Sequence, residues 1–481
     1  MKAGRQMQLN REVEVLFEPE RVVLIGSSKI REKVGMSSPQ LFENVVYNMK
    51  RYFKGEVYVV DVHGEKGFTS IEEVPAEPQL AVIMLPPEES IVQAEKSVGK
   101  GVKALVMITG GYKEPQRQRL LTLKSEFGVR ILGPNTIMGV INTENGLNTT
   151  FERDLMPRKG GIAVISQSGG VGACLLDWAC YYGLGISKFA FMGDKIDVDD
   201  VDLLQYLDHD RKTRVICLYM EGIKNGKRFV EAAQQIVRRK PILVLKGGVT
   251  AEAARRALSH TASIAGSDEV FNAALKKAGI IRVETLEELM NSAVALEKQP
   301  PLKGERIAVV SNVGGPAIIA ADALAREGLK LAPLTPETQK TIERLYPGVD
   351  ATNPIDMIAD ARAERYKRVL DMVLADPNVD GVMVINMLKS CFFEPEDAKA
   401  IAETAEKYPE KPVVDVPAGG EDFELIHKVL GETNIPLYNI PEKAAKALKT
   451  LREYGKILEK LEKNGKPINR EDGSNLKGEK A

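Results

Sequence analysis

Histidine and cysteine are scarce, four of each in 481 residues, and that scarcity excludes most metal chemistry. No CxxC pair, HxH or HExxH occurs, so neither a structural nor a catalytic zinc site is expected. Cys174, Cys180, Cys217 and Cys391 outline no disulfide framework and suit a reduced compartment, and the spacing of the first two suits buried helix positions. No run of about 18 apolar residues is present to cross a membrane, and none near the start resembles a signal segment, so a cytoplasmic protein is expected. Neither sign of charge dominates: 66 Lys and Arg stand against 67 Asp and Glu. Nucleic acid and anionic membranes are therefore not expected partners. The Gx4GK[ST] loop, the GxSxG elbow and the protein-kinase signatures are missing too, so any ATP must be held by other means.

What is present is a rhythm. Short Val- and Ile-rich runs alternate with longer amphipathic segments, which predicts parallel sheets covered by crossover helices, an α/β protein. Runs at 21–26, 56–60, 80–85, 104–108 and 129–133 outline a Rossmann-like domain over 1–145. Runs at 162–166, 187–192, 214–219, 242–246 and 280–283 outline a second domain over 155–298, closed by a helix at 284–298. After the Pro-Pro linker at 299–305, runs at 306–312, 380–385, 412–416 and 435–440 outline a third domain over 303–460, ending in a long charged helix from about 441. Residues 461–481 are expected to be a disordered tail.

One stretch repeats. IAVISQSGG (162–170) recurs as IAVVSNVGG (307–315), each followed by a helical run of small and apolar residues. A strand that enters a helix through a Gly-Gly turn can offer backbone N–H groups and the helix dipole to an anion. Ser166, Gln167, Ser168, Gly169 and Gly170 in the first copy, and Asn312, Gly314 and Gly315 in the second, are the phosphate-binding candidates. Duplication of a structural unit explains the repeat equally well.

Three further places carry candidate chemistry. Gly26 in VLIGSSKIREKVG follows the first strand, where a nucleotide phosphate meets such folds, but the turn is not GxGxxG. Asp61 could imitate a ribose-binding acid, yet it lies well beyond the usual interval of about 20 residues. Glu221 in LYMEGIKNG ends the third strand of the second domain, at the carboxyl edge where ligands sit. A carboxylate there can fix an imidazole tautomer and free the other nitrogen to attack, or it can be a solvated acid before a helix. His260 in ALSHTASIAG occupies a loop of small residues after the fourth strand, with a helix start near Ser267 or Asp268 beyond it. It is a candidate nucleophile, or a surface histidine in a polar loop.

On these motifs the chain resembles the alpha subunit of the ADP-forming acetyl-CoA (acyl-CoA) synthetases, relatives of succinyl-CoA synthetase, over about residues 15 to 460. The block SHTASIAGSDEVFNAALKKAGIIRVETLEELMNSA (259–293) is similar to the family's SHTGSLAGSD block, which implies that His260 is the phosphorylated histidine. ISQSGG resembles the family's phosphate-binding helix start, and YMEGIKNGKRF its YxEG segment, implying that Glu221 orients the histidine. The segments around 24–36, 84–90, 108–114 and 131–142 resemble the CoA-binding domain. They imply CoA contacts at Gly26, Ser27, Ser28, Lys29, Pro86, Thr109 and Gly110, with Asn135 near the thioester. The fold implied is a Rossmann-like CoA-binding domain followed by two flavodoxin-like ligase domains. The chain departs from the family pattern at VDVHGEK (60–66), at FMGDKIDVDD (191–200), which includes Asp194, and at Ala262.

The activity implied is interconversion of acyl-CoA, ADP and phosphate with acid, ATP and CoA through a phosphohistidine. CoA and ADP or ATP are then substrates, with Mg bound beside the nucleotide on a separate ATP-grasp beta subunit, two alpha chains to two beta. The small organic acid is left open. The rival readings are a non-catalytic subunit that senses CoA or acyl-CoA, and an NAD-dependent oxidoreductase.

Overall fold

A computed structural model describes residues 12–29, 38–250, 252–253, 255, 267–389, 391–463 and 465. The chain divides into two compact units, Met1–Arg282 and Val283–Ala481. Among the described residues no helix is long and apolar enough to cross a membrane.

The first unit begins with β1 (Arg21–Gly26), β2 (Glu56–Asp61), β3 (Leu80–Ile83), β4 (Ala104–Met107) and β5 (Arg130–Leu132), a parallel sheet in the order β2-β1-β3-β4-β5. β3, β4 and β5 are buried along their whole length, which is why they read as unbroken apolar runs rather than alternating ones. Helix Pro39–Tyr52 packs against this sheet; it starts on Ser38, whose hydroxyl accepts from Leu41 N–H, with Pro39 in the first turn. Its Phe42 ring lies so close to Gly26 that a Cβ there would meet Phe42 Cδ2 at 2.2 Å.

The second sheet contains β6 (Val140–Asn142), β7 (Leu147–Asn148), β8 (Arg158–Ser166), β9 (Gly185–Phe191), β10 (Val215–Met220), β11 (Ile242–Lys246) and β12 (Ile281–Val283). Their order is β12-β11-β10-β8-β9-β6-β7. The sequence reading ended the first domain at 145, but the hairpin β6–β7 belongs to the second sheet. Val140 and Ile141 are buried, and β6 pairs antiparallel with β9, Val140 opposite Ala190. The hairpin covers what would otherwise be an open edge.

In the second unit, β13 (Arg306–Ser311), β14 (Lys330–Leu331), β15 (Ile355–Asp356), β16 (Gly381–Asn386) and β17 (Val413–Pro417) run in the order β14-β13-β16-β17, with β15 also on β13. The two-residue strands β14 and β15 were not foreseen. The expected strand at 435–440 reduces to an isolated bridge between Leu437 and Asp415. Helix Leu286–Lys298, which the sequence reading gave to the second domain, packs instead on helix Pro441–Lys463. Ser292 and Thr450 hydroxyls meet at 3.0 Å, and Tyr438 OH donates to Asn291 O at 3.0 Å.

All three sheets share a plan: the strand that leads the parallel run lies between two later ones. β1 sits between β2 and β3, β8 between β9 and β10, and β13 between β14 and β16. In open α/β sheets the crevice between the first and third strands, at their carboxyl ends, is where ligands bind.

Candidate functional site

At the carboxyl end of β8 the chain turns sharply into helix Gly169–Tyr181. Ser166 Oγ donates to Ser168 O at 2.6 Å and accepts from Ser168 N–H at 3.2 Å, and Ser168 Oγ caps Val171 N–H at 3.4 Å. The N–H groups of Gly169 and Gly170, first and second in the helix, have no intrahelical acceptor by their position. Gly172 is glycine for packing, since a Cβ would lie 2.8 Å from the Phe189 ring. Gly170 is exposed and has no such reason: a Cβ there would meet nothing within 4 Å. It leaves the helix start open to an approaching anion.

Gln167 takes a different part from the one expected of it. Its Oε1 accepts from Glu221 N–H at 2.7 Å and Gly222 N–H at 3.1 Å. Its Nε2 donates to Asp200 Oδ1 at 2.7 Å and Gly222 O at 2.9 Å, and its backbone N–H donates to Tyr219 O at 3.1 Å. The side chain, 7% exposed, has no donor left for a phosphate.

Glu221, just beyond β10, is buried. Its Oε1 accepts from Tyr219 OH at 3.4 Å, while Oε2 is buried without a hydrogen-bond partner among the described residues. A buried carboxylate oxygen left alone is costly, and a donor at this point satisfies it. Burial, with the Glu221 charge beside it, pushes the Tyr219 phenol up to about 12, so it stays a donor. Lys246, last in β11, donates from Nζ to Glu221 O at 2.9 Å and also to Gly247 O. Burial lowers the pKa of its ammonium, against the fields of Asp268 and Glu221. Gly247 is glycine because a Cβ would meet Tyr219 OH at 2.3 Å. Sequence reasoning missed both Tyr219 and Lys246; Tyr219 could have been found, since it lies near the end of the strand only two residues before Glu221.

His260 and Ala262 lie outside the described residues. The flanks of their segment are described. β11 pairs with β10, Lys246 opposite Met220, so the chain leaves the sheet beside Glu221. It re-enters at Ser267, which caps Val270 N–H at the start of helix Asp268–Ala278, as expected. Phe271 of that helix lies under Lys246 Nζ, 5.4 Å from the ring centre. The other histidines are elsewhere: His63 bonds Glu89 at 2.6 Å on the surface, His209 ends a helix, and His427 stacks on Phe423.

In the second unit the repeat has the same shape. Ser311 Oγ donates to Val313 O at 2.7 Å and accepts from Val313 N–H at 3.1 Å. Asn312 Nδ2 donates to Met387 O and Oδ1 accepts from Met387 N–H, both at 3.0 Å. Asn312, like Gln167, ties its turn to the end of the neighbouring strand. Gly314 and Gly315 start helix Gly314–Arg326; Gly315 is exposed and a Cβ there would meet nothing within 4 Å. No hydroxyl caps this helix, because Val313 stands where Ser168 stands in the first copy.

In the first sheet the expected CoA residues all lie at the carboxyl ends of neighbouring strands. Gly26 ends β1 and Ser27 to Lys29 follow it, Pro86 follows β3, Thr109 and Gly110 follow β4, and Asn135 follows β5. Asp61 is buried and turned to its own loop: its carboxylate accepts from Ser28 N–H at 3.0 Å, Ser28 Oγ at 2.6 Å and Lys66 N–H at 3.2 Å. Burial would raise its pKa, but these bonds outweigh it and hold the pKa below the usual value. Lys29 pairs with Glu65 at 2.8 Å, and Thr109 Oγ1 donates to Leu85 O at 2.6 Å. Asn135, exposed and in the left-handed region at φ 64°, donates to Asp194 Oδ1 at 3.4 Å. Arg117 holds the other Asp194 oxygen at 2.6 Å.

Three family models match the chain: a CoA binding domain over 20–142, a succinyl-CoA ligase like flavodoxin domain over 159–296 and a ligase-CoA domain over 307–452. The chain is 35% identical over 460 residues to the alpha subunit of acetate–CoA ligase (ADP-forming) II of Pyrococcus furiosus, covering 92% of this chain and 98% of that one. It is also 35% identical over 460 residues to acetate–CoA ligase (ADP-forming) I of Archaeoglobus fulgidus, a longer protein of which the match covers 64%, and 93% of this chain. Among solved structures, the dinucleotide-forming acetyl-coenzyme A synthetase 1 of Ca. Korarchaeum cryptofilum, in complex with phosphate and ADP, superposes with a TM-score of 0.84 at 32% identity. The match covers 94% of this chain and 98% of that one.

Proposed function

The chain belongs to the family of the ADP-forming acetate–CoA ligase alpha subunits, and from that premise we propose how its residues divide the work. It is an acid–thiol ligase subunit that interconverts acyl-CoA, ADP and phosphate with acid, ATP and CoA. CoA would lie across the carboxyl ends of β1, β3, β4 and β5, touching Gly26 to Lys29, Pro86, Thr109 and Gly110, with its thioester toward Asn135. Inorganic phosphate would meet the N–H groups of Gly169 and Gly170. A phosphate oxygen attacks the thioester carbonyl carbon, the C–S bond breaks, and CoA leaves as acyl phosphate forms. His260 then attacks phosphorus, the bond from phosphorus to the acyl oxygen breaks, and the acid leaves as carboxylate. Glu221 Oε2 accepts from the imidazole N–H and stabilises the cation as it forms. An ADP oxygen finally takes the phosphoryl group from nitrogen, giving ATP.

The observation that carries this reading is Glu221. Its lone buried oxygen stands at the strand end beside which the chain departs toward His260, in the same crevice as the open glycine turn. The start of helix Gly314–Arg326 is proposed to meet nucleotide phosphate. The name of the relatives implies a partner subunit; we assign to it an ATP-grasp fold, two copies beside two of this chain, in the cytoplasm. Mg is assigned to the nucleotide on the partner. The protein mixed with that partner and labelled ATP should yield an acid-labile, base-stable phosphoprotein, and His260→Ala should yield none. Label that persists in the variant removes His260 from this role.

A further inference from the structure

Gln167 stands in the phosphate turn, yet its side-chain amide and its backbone N–H are all spent inside the protein. Two acceptor bonds from Glu221 and Gly222 N–H, two donor bonds to Asp200 and Gly222 O, and a backbone bond to Tyr219 O span the gap between the ends of β8 and β10. Asp200 is itself held by Lys195 Nζ at 3.1 Å, which also reaches Gly222 O at 3.4 Å. The backbone on either side of Glu221 Cα is therefore pinned at several points from the turn that opens the helix. Glu221 carries the one buried oxygen in this cluster that is left without a partner among the described residues.

We propose that Gln167 is a positioning residue and not a phosphate ligand: its amide sets the Glu221 carboxylate relative to the helix start, so that the carboxylate and the phosphoryl group approach the histidine from fixed directions. The chemistry of the side chain fits. A glutamine offers a planar donor and acceptor pair, so it can hold two N–H groups on one side and two oxygens on the other without adding charge. A carboxylate in its place would face Asp200 and Glu221 as a third negative charge. Asn312 builds a shorter version of the same bracket to Met387, so the device occurs in both copies of the repeat.

This inference rests on the reading of the reaction given above, and its test separates the two. The complex with the partner subunit is assayed for ATP formation from acyl-CoA, ADP and phosphate, with phosphate varied. If the wild-type complex makes no ATP, the reading of the reaction falls. If it does, Gln167→Met and Gln167→Asn are compared with it. A misaligned catalytic group costs about 10- to 100-fold in turnover. We expect that loss in kcat, with the KM for phosphate unchanged within about twofold. A rise in the phosphate KM with kcat retained makes Gln167 a ligand and overturns the proposal. Combining Gln167→Met with Glu221→Gln closes a cycle: the double variant should be no slower than Glu221→Gln alone. Multiplied losses overturn it as well, because they mean that Gln167 does not act through Glu221. Should the Met variant not fold, the Asn variant, which keeps an amide but is one methylene too short, carries both measurements.

Discussion

Asp415, in the middle of β17, is the most perturbed carboxyl group for which a value near neutrality applies. Burial pushes it up to about 7, against hydrogen bonds from the Asn386 amide and Val416 N–H. The Asn386 contact is 2.6 Å, while Asp415 Oδ2 and Asn386 Oδ1 are both buried without partners among the described residues. Folded, the acid keeps its proton to about pH 7; unfolded, it loses it near 3.9. Between those values the folded chain binds the extra proton, so this group's contribution to stability is fully present below about pH 4, falls as pH rises, and levels off above 7. Asp415→Asn should remove that slope, gaining on the native protein by about 1.4 kcal/mol for each pH unit across the window. Melting temperatures of both proteins at pH 5 and pH 8 measure it, and parallel curves would contradict it. The residue scale is also where the sequence was least legible. The place of Glu221 at a strand end could be read, but the hydrogen bonds of Gln167 could not. Its four side-chain partners, at Asp200, Glu221 and Gly222, are 33 to 55 positions away in the chain, and no local pattern announces them.

At the scale of elements, the strands were legible for a physical reason. Parallel strands buried on both faces must be apolar through their buried stretch; β3 and β4 are apolar throughout, and β1, β8, β10, β11, β13 and β16 carry an unbroken apolar run with polar residues only at their ends. Two-residue strands such as β14 and β15 carry no period to detect, and 435–440 looked like a strand because it is apolar, although only Leu437 makes a bridge. Cys174 was read as a buried helix position and is exposed, because the apolar face of helix Gly169–Tyr181 runs through Leu175, Leu176 and Ala179. The glycines of that helix separate structure from chemistry. Gly172→Ala forces a methyl group against Phe189, and overpacking of this kind costs about 1–3 kcal/mol; its melting temperature should fall. Gly170→Ala meets no atom and should melt like the native protein or slightly above it, while the KM for phosphate rises. A Gly170→Ala protein with unchanged phosphate kinetics would move the anion away from this helix start.

At the scale of the whole molecule, the three-part organisation was legible, with family-model spans of 20–142, 159–296 and 307–452 beside the expected 1–145, 155–298 and 303–460, but which elements pack together across those bounds was not. Amphipathic pattern tells that helix Leu286–Lys298 buries a face through Leu289, Met290, Ala293 and Leu296, but not that the surface it meets is on Pro441–Lys463. The hairpin β6–β7 poses the same difficulty in reverse, because it follows the first sheet directly in the chain and completes the second. The spans matched as separate family domains, 20–142 and 159–296, therefore divide a single sheet between them. A fragment beginning at 155 would expose the β9 backbone along the edge that β6 covers, and an open apolar edge recruits other chains. Such a fragment should self-associate in sedimentation, whereas one beginning at 135 should stay dispersed; equal behaviour would mean that the hairpin does not protect β9. Seen this way, the second domain comes with an inheritance clause: it cannot be passed on by recombination, or borrowed for engineering, without carrying along the last residues of its neighbour.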